Sequence, residues 1–288
     1  MPIDYFNDKP SEEKFMRLYN VSKDDFYHSG IYEGMKVRSR YLAWKYLPNI
    51  RDKILPHVQR NSKYEAVFLE FRYFPHIEFI IRNAIIKLGS EWSHTIVCGN
   101  NNYDFMVKMC NSITNNLQII KLDIDDIDHI EKYNELLTST SFWELFTGEK
   151  ILIHQEDSCI FKSNINDFIR FDYIGAPWNI DKEWVQKSGL KIALGNGGFS
   201  LRNRQMMIDI INKYPRDKKD NEDVYFSRMM QDHNIGVFPT MHDAFAFSSE
   251  GVVSENSFGG HCNFNYDVNS ERRFVRDCVL TLYTEELL

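Results

Sequence analysis

Two carboxylates follow an apolar segment directly at residues 151–158, which read ILIHQEDS. Residues 151–153 predict a buried strand, and Glu156 and Asp157 come just after its end. Carboxylates at a strand end can bind a hard divalent cation, which in turn neutralises the phosphates of a substrate. The alternative is that Asp157 or Ser158 caps the following turn. The local sequence leaves both interpretations open.

A second acidic pair, Glu222 and Asp223, follows Asn221 at the start of a predicted amphipathic helix. The helix dipole alone favours acidic residues in a first turn, which is the simpler interpretation of Glu222. A carboxylate held beside a hydroxyl group can also take its proton, which makes Asp223 a candidate general base. Because a helix has 3.6 residues per turn, adjacent side chains point about 100° apart, so both are not expected to face a substrate.

Three of the 14 glycines, Gly195, Gly197 and Gly198, fall within the sequence ALGNGGFSLR. Glycine permits positive φ or a close approach to a ligand, so we expect this backbone to lie near a bound molecule. The dinucleotide-binding pattern G-x-G-x-x-G is incomplete, because Ser200 replaces the third glycine. Upstream, a Gly-Ala-Pro turn precedes Trp178, whose flat face could stack on a sugar, although packing is the more frequent role of tryptophan.

The composition excludes several classes of protein. A chain of 288 residues that is 43% hydrophobic can bury a large core. A net charge of −7, with scattered basic residues, argues against a nucleic-acid partner. The five cysteines show no C-x-x-C spacing, which argues against a disulfide framework or a cysteine zinc site and favours a reducing compartment. We find no apolar segment of membrane-spanning length and expect a cytoplasmic protein.

Short apolar strands alternate with helical segments in the middle of the chain. The predicted strands lie at 66–69, 94–98, 117–122 and 151–153, and the predicted helices lie at 79–88, at 105–110 and around the apolar face Ile130, Tyr133, Leu136 and Leu137. This alternation predicts an α/β fold with a mostly parallel mixed sheet flanked by helices. Residues 1–62 are interpreted as a helical N-terminal extension that lies outside the core, and residues 63–288 as the main domain.

Ligands of such sheets bind beyond the carboxyl ends of the strands. This rule points to Glu70, Arg72, Gly99, Asn100, Asp123, Glu156 and Asp157, so that at least one polar residue follows each of the four predicted strands. The sequence therefore predicts a polar binding site at this edge of the sheet.

Taken together, these motifs resemble the DUF5672 glycosyltransferase-like family over roughly residues 64–262. The segments that carry the resemblance are Glu70-Phe71-Arg72, Gln155-Glu156-Asp157-Ser158, Tyr173-Ile174-Gly175-Ala176-Pro177-Trp178 and Gly195-Asn196-Gly197-Gly198-Phe199-Ser200-Leu201-Arg202. The resemblance implies the Rossmann-like GT-A fold, in which a short acidic motif after the fourth strand holds a divalent metal on the donor diphosphate. Asp157 matches the last position of that motif, and Gln155 stands where the first aspartate often does.

The resemblance also implies roles for further residues. In inverting enzymes of this fold, a Gly-rich strand and a helix precede an acidic pair that deprotonates the acceptor. Asp223 would be that base, with Glu222 as the alternate, and His261 would complete the metal shell. Glu70, Arg72, Asn100, Glu156 and Asp157 would bind the nucleotide donor, and Trp178, Asn196, Gly197 and Gly198 would contact the donor or acceptor sugar.

The function that follows is a metal-dependent glycosyltransferase. With Mn²⁺ or Mg²⁺, it would move a sugar from a UDP- or GDP-sugar to a hydroxyl of a glycan or other acceptor, with inversion. A phosphoester hydrolase could use the same carboxylates, but it would usually need more clustered ligands than nine scattered histidines offer. A non-catalytic glycan-binding protein on a transferase fold is the third possibility, because Gln155 departs from the motif.

Overall fold

The computed structural model describes residues 10–27, 32–252, 254–262 and 274–280, with the backbone alone for residues 32–35. A six-stranded mixed sheet lies at its centre. Its strands, in their order across the sheet, are β3 (Gln118–Lys121), β2 (Trp92–Cys98), β1 (Tyr64–Leu69), β4 (Lys150–His154), β9 (Phe199–Asn203) and β6 (Tyr173–Ile174). The first four strands are parallel, whereas β9 runs antiparallel to β4 and β6.

Two small sheets lie beside the central sheet. They are formed by β5 (Ser158–Ile160), β11 (Gly259–His261) and β10 (Ser248–Ser249), and by β7 (Ala176–Pro177) and β8 (Leu194–Gly195). In the first, β5 pairs antiparallel with β11. This pairing brings the chain near residue 261 back to the end of β4.

The described helices before the sheet are α1 (Glu12–Tyr19), α2 (Lys23–Tyr27), α3 (Tyr32–Lys45) and α4 (Leu47–Arg51). Those after β1 are α5 (Ile77–Leu88), α6 (Tyr103–Ile113), α7 (Ile130–Leu137), α8 (Thr140–Trp143), α9 (Glu183–Ser188), α10 (Arg204–Lys213), α11 (Glu222–His233) and α12 (Met241–Phe247). A short 3-10 helix covers Ile165–Asp167 and a π-helix covers Val275–Leu280. The predicted α/β class and mostly parallel mixed sheet are confirmed.

Alternate side chains of the central strands enter different layers, as the two-residue period of a strand requires. Val67, Ile151 and Ile153 pack with α7, α8, α10 and α11 on one face. Ala66 and Leu152 face the opposite layer, which includes α5. Both faces of the sheet are therefore covered by helices.

The N-terminal helices belong to the core. Phe15 of α1, Trp44 of α3 and Ile50 of α4 are buried in one hydrophobic cluster with Phe79 of α5. Our expectation that residues 1–62 lie outside the core is therefore wrong for their described part, because their aromatic side chains cover α5. The domain boundary at residue 62 stays a prediction.

The helices also bear on the predicted apolar face at Ile130 and on the expectation that the chain has no membrane-spanning segment. Ile130, assigned to the apolar face of its helix, is 65% exposed because it stands at the first position of α7. Within the described ranges, none of the helices has the length and hydropathy needed to cross a membrane.

Replacing Ile50 by alanine should destabilise the protein by about 2–5 kcal/mol, the usual cost of emptying a packed isoleucine site. Ile54→Ala is the matched control, because Ile54 is 94% exposed whereas Ile50 is fully buried. The control should change the free energy of unfolding by no more than about 0.5 kcal/mol. Urea unfolding measures both values, and equal small effects would contradict a role for α4 in the core.

Candidate active site

The acidic turn after β4 lies against the chain at His261. In the β5–β11 pair, Ser158 is the partner of His261, and the Cys262 N–H donates to the Asp157 carbonyl oxygen at 2.9 Å. The side chains follow this pairing. His261 Nε2 lies 3.1 Å from Asp157 Oδ1, and Cys262 Sγ lies 3.0 Å from Asp157 Oδ2.

Asp157, His261 and Cys262 form a group that fits a transition metal. One carboxylate oxygen, one imidazole nitrogen and one sulfur lie within 4.8 Å of one another, and these are ligand types that such metals accept. The other ring nitrogen, His261 Nδ1, lies 3.0 Å from Glu250 Oε1. A carboxylate behind a histidine is the usual support of a metal-ligating imidazole.

The charges of this group are interdependent. Burial opposes ionisation of Asp157, but His261 and Lys36 hold the pKa of its carboxyl group well below the ordinary value. Burial likewise opposes protonation of His261, but Cys262 and Asp157 raise the pKa of the imidazole well above its usual range. The carboxylate of Asp157 is thus surrounded by positive charge.

Glu70 and Glu156, both predicted to bind the donor, are buried. Glu70 accepts hydrogen bonds from the backbone and the guanidinium of Arg72. Glu156 accepts from Arg40 at 2.9 Å and lies 2.9 Å from His76 Nε2. The two carboxylates therefore hold cations in place, and their contact with a donor stays a prediction.

Asn100, another predicted donor residue, lies near two aspartates. Its Nδ2 donates to Asp123 Oδ1 at 3.0 Å and to Asp125 Oδ1 at 3.1 Å. The side-chain amide therefore holds the loop after β3, and a contact with a donor stays a prediction.

A cavity of about 640 Å³ opens beside His261. Trp178, Gly197, Gly198 and Asp223 also line it. Side chains that we predicted for metal, sugar and acid–base chemistry thus come together around one space.

Asp223 is half-buried in the wall of this cavity, at the first turn of α11. Burial raises the pKa of its carboxyl group to about 7, and the negative charges of Glu222 and Glu250 act in the same direction. The Val224 N–H and the Arg202 guanidinium oppose this shift. A carboxylate with such a pKa can both accept and release a proton near neutral pH.

The neighbouring Glu222 is buried and paired. Arg202 Nη1 donates to Glu222 Oε2 at 2.6 Å, and Arg202 Nη2 donates to Oε1 at 3.1 Å. The guanidinium also lies near the rings of Trp143, Tyr173 and Phe226. Both carboxylate oxygens of Glu222 therefore accept hydrogen bonds that hold α11 to β9.

The glycines of the motif make room for side chains of the site. A Cβ on Gly197 would approach Glu222 Oε1 to 2.5 Å, and a Cβ on Gly198 would overlap His261 and approach Gln155 Oε1 to 2.5 Å. Neither glycine has positive φ. Protein atoms therefore occupy the place of a Cβ at both positions. Both glycines also line the cavity, and their contact with a sugar stays a prediction.

Asn196 and Trp178, the other predicted sugar contacts, already make contacts within the protein. Asn196 Oδ1 accepts from the Gly198 and Phe199 N–H groups, and its Nδ2 donates to Glu250 Oε2 at 2.6 Å. Trp178 is 8% exposed and packs edge-on against the half-exposed Trp184. Only a small part of Trp178 is therefore available for stacking.

Sequence reasoning missed several residues of the site. Lys36 lies 2.7 Å from Asp157 Oδ2, and it comes from the helical extension that we set apart. Glu250 had no motif around it. Cys262 had one signal, its position next to His261, and Trp184 had its spacing of six residues from Trp178.

Residues 116–261 match the sequence profile of a family described as "Protein of unknown function (DUF5672)". Since the match covers half of the chain, the chain belongs to this family. No curated protein sequence matches it.

Solved structures with similar folds include a mannosyltransferase, PcManGT from Pyrobaculum calidifontis, in complex with GDP-Man and Mn²⁺ (10% identity, 73% of this chain and 63% of that chain, TM-score 0.42). Another is the apo form of the glycosyltransferase GlyE of Streptococcus pneumoniae (10% identity, 78% and 64%, TM-score 0.43). A third is an inositol-1-phosphate CTP transferase of T. maritima (11% identity, 78% and 98%, TM-score 0.46). The chain spans less than two thirds of the first two.

Replacing Glu222 by glutamine should destabilise the protein by about 3–5 kcal/mol, because it leaves the buried Arg202 charge without its partner. Glu183→Gln is the control, since the Glu183–Lys187 pair on α9 is exposed and should contribute less than about 1 kcal/mol. Urea unfolding measures both variants. A Glu222→Gln variant as stable as the control would show that the ion pair does not support the fold.

Proposed function

We propose that this protein is a glycosyltransferase that uses a nucleotide-sugar donor and inverts the configuration of the transferred sugar. One observation carries the proposal. Asp223, whose pKa is raised to about 7, and His261, which lies against Asp157 and Cys262, line the same cavity. Sugar transfer from a diphosphate requires a base that takes the proton of the acceptor hydroxyl and a centre that stabilises the negative charge of the leaving diphosphate.

In the proposed reaction, Asp223 accepts the proton of an acceptor hydroxyl. The freed oxygen forms a bond to the anomeric carbon as the bond between that carbon and the diphosphate oxygen breaks. The electron pair of the broken bond leaves with the nucleoside diphosphate. Asp223 is preferred to Glu222 as the base, because Arg202 binds both oxygens of Glu222.

Asp157, His261 and Cys262 would hold a divalent metal ion, which when bound neutralises charge on the leaving diphosphate. Glu250 orients His261 through Nδ1. Gln155 Oε1 lies 3.3 Å from His261 Nε2, so a neutral amide stands where a second carboxylate would otherwise add charge. Because His261 and Cys262 would offer a nitrogen and a sulfur beside the Asp157 oxygen, this set suits Mg²⁺, which prefers oxygen ligands, less well than a transition metal such as Mn²⁺.

The large cavity would hold the sugars. Trp184 lines this cavity and is 49% exposed, so its ring would offer an aromatic face to an acceptor glycan. A hydrolase would need only water beside Asp223, so the two functions are separated by whether the sugar reaches an acceptor or water.

The test is to incubate the protein with UDP- and GDP-sugars, Mn²⁺ and a glycan mixture, and to measure both the nucleoside diphosphate released and the glycosylated product. Asp223→Asn should lower turnover by roughly 10²–10⁴-fold, the usual range for loss of a general base. Binding of the nucleoside diphosphate should be unchanged. Below about pH 7 the wild-type rate should fall about tenfold per pH unit, because only the deprotonated carboxylate accepts a proton.

Asp232→Asn is the control, since Asp232 is exposed on the same helix. It should retain wild-type turnover. A product that keeps the anomeric configuration of the donor, or a pH profile that is unchanged in Asp223→Asn, would exclude Asp223 as the base. Release of free sugar without any glycosylated product would favour the hydrolase.

Replacing His261 by glutamine should weaken Mn²⁺ binding by about tenfold or more, because one of three proposed ligands is lost. Titration calorimetry or the electron paramagnetic resonance signal of free Mn²⁺ measures the affinity. His242→Gln is the control, since His242 is exposed on α12. If both variants bind Mn²⁺ as the wild type does, His261 is not a ligand.

A further inference from the structure

The N-terminal extension brings two cations to the acidic turn after β4. Lys36 Nζ lies 2.7 Å from Asp157 Oδ2, and Arg40 Nε lies 2.9 Å from Glu156 Oε2. Both side chains come from α3, where residues four apart share one face of the helix. One helix therefore reaches both carboxylates of the predicted acidic motif.

Arg40 has a holding role. Its Nε and Nη2 bind the two oxygens of Glu156, and its guanidinium lies 4.7 Å from the centre of the Phe74 ring. His76 binds the same carboxylate, whose side chain is 1% exposed. Such a bidentate, stacked guanidinium fixes the position of α3, and with it the position of Lys36.

Lys36 and Arg72 differ from Arg40 because more of each side chain is exposed and some of its N–H donors stay available to a ligand. The Lys36 side chain is 20% exposed and the Arg72 side chain is 46% exposed. An ammonium has three donors and a guanidinium has five, more than their contacts with Asp157, Glu70 and Glu156 use. Both cations can therefore donate to a further anion without leaving the carboxylates that hold them.

Arg72 also lies next to the main cavity. It lines a second cavity of about 140 Å³. The two cavities share Ile127, Tyr133 and Gln155 among their lining residues. Arg72 thus lines a space that adjoins the main cavity at Gln155.

We propose that Lys36 and Arg72 form a binding subsite for the diphosphate of a nucleoside diphosphate, so that the N-terminal extension completes the donor site. The inference rests on the proposed function for the identity of the donor. An arginine fork and a lysine point charge are the side chains that recognise phosphate oxygens. Glu70, Glu156 and Asp157 keep the two cations in place before the ligand arrives.

The test is calorimetric binding of UDP, GDP and inorganic pyrophosphate to the full chain in EDTA, which removes any contribution of a divalent metal. Lys36→Met and Arg72→Met should each weaken diphosphate binding by about tenfold or more, because each removes charge-assisted hydrogen bonds. Lys36→Arg should restore most of the affinity. Lys23→Met, an exposed lysine of the same extension, should bind as the wild type does.

Thermal unfolding checks that the variants are folded, and the half-exposed Arg72 keeps the test available if Lys36→Met does not fold. Wild-type binding by both Lys36→Met and Arg72→Met would overturn the subsite while leaving the proposed function in place. A wild-type protein that binds no nucleoside diphosphate, with or without Mn²⁺, would overturn both.

Discussion

The buried ion pair between Arg202 and Glu222 is the interaction on which the rest of the site depends. Burying two charges is costly unless the geometry is good and the remaining donors are satisfied. Here the pair is bidentate, and Arg202 also donates to Ser200 Oγ and to the Asn196 carbonyl oxygen. The pair thereby connects β9 of the six-stranded sheet, the glycine loop before it and the first turn of α11. That first turn carries Asp223 into the cavity.

The same pair gives the adjacent acids Glu222 and Asp223 different electrostatic environments. Glu222 is paired and buried, whereas Asp223 gains no such partner from β9 and has its pKa raised to about 7 by burial and by the charges of Glu222 and Glu250. At the acidic turn, positive neighbours hold the pKa of the Asp157 carboxyl well below its ordinary value. Carboxyl groups whose environments separate their pKa values in this way can take different chemical roles within one site.

The N-terminal helices connect the stability of the protein to this site. Phe15, Trp44 and Ile50 are buried in the cluster that covers α5, and the same set of helices carries Lys36 and Arg40 to the acidic turn. Packing of the extension and the electrostatics of Asp157 are therefore coupled. A segment that has no recognisable motif can contribute to a site because its position is set by the core.

The sequence by itself determined the four parallel strands β1 to β4 and the helices α5, α6 and α7 between them, because apolar periodicity is a local property. It also identified the acidic turn, the glycine motif, His261 and the pair Glu222–Asp223. Only the tertiary structure decided that Lys36, His261 and Cys262 meet Asp157 and that Arg202 binds both oxygens of Glu222. It also decided that Gly197 and Gly198 make room for Glu222 and His261. These outcomes depend on which distant segments pack together, and burial and charge pairing exist only once that packing has formed.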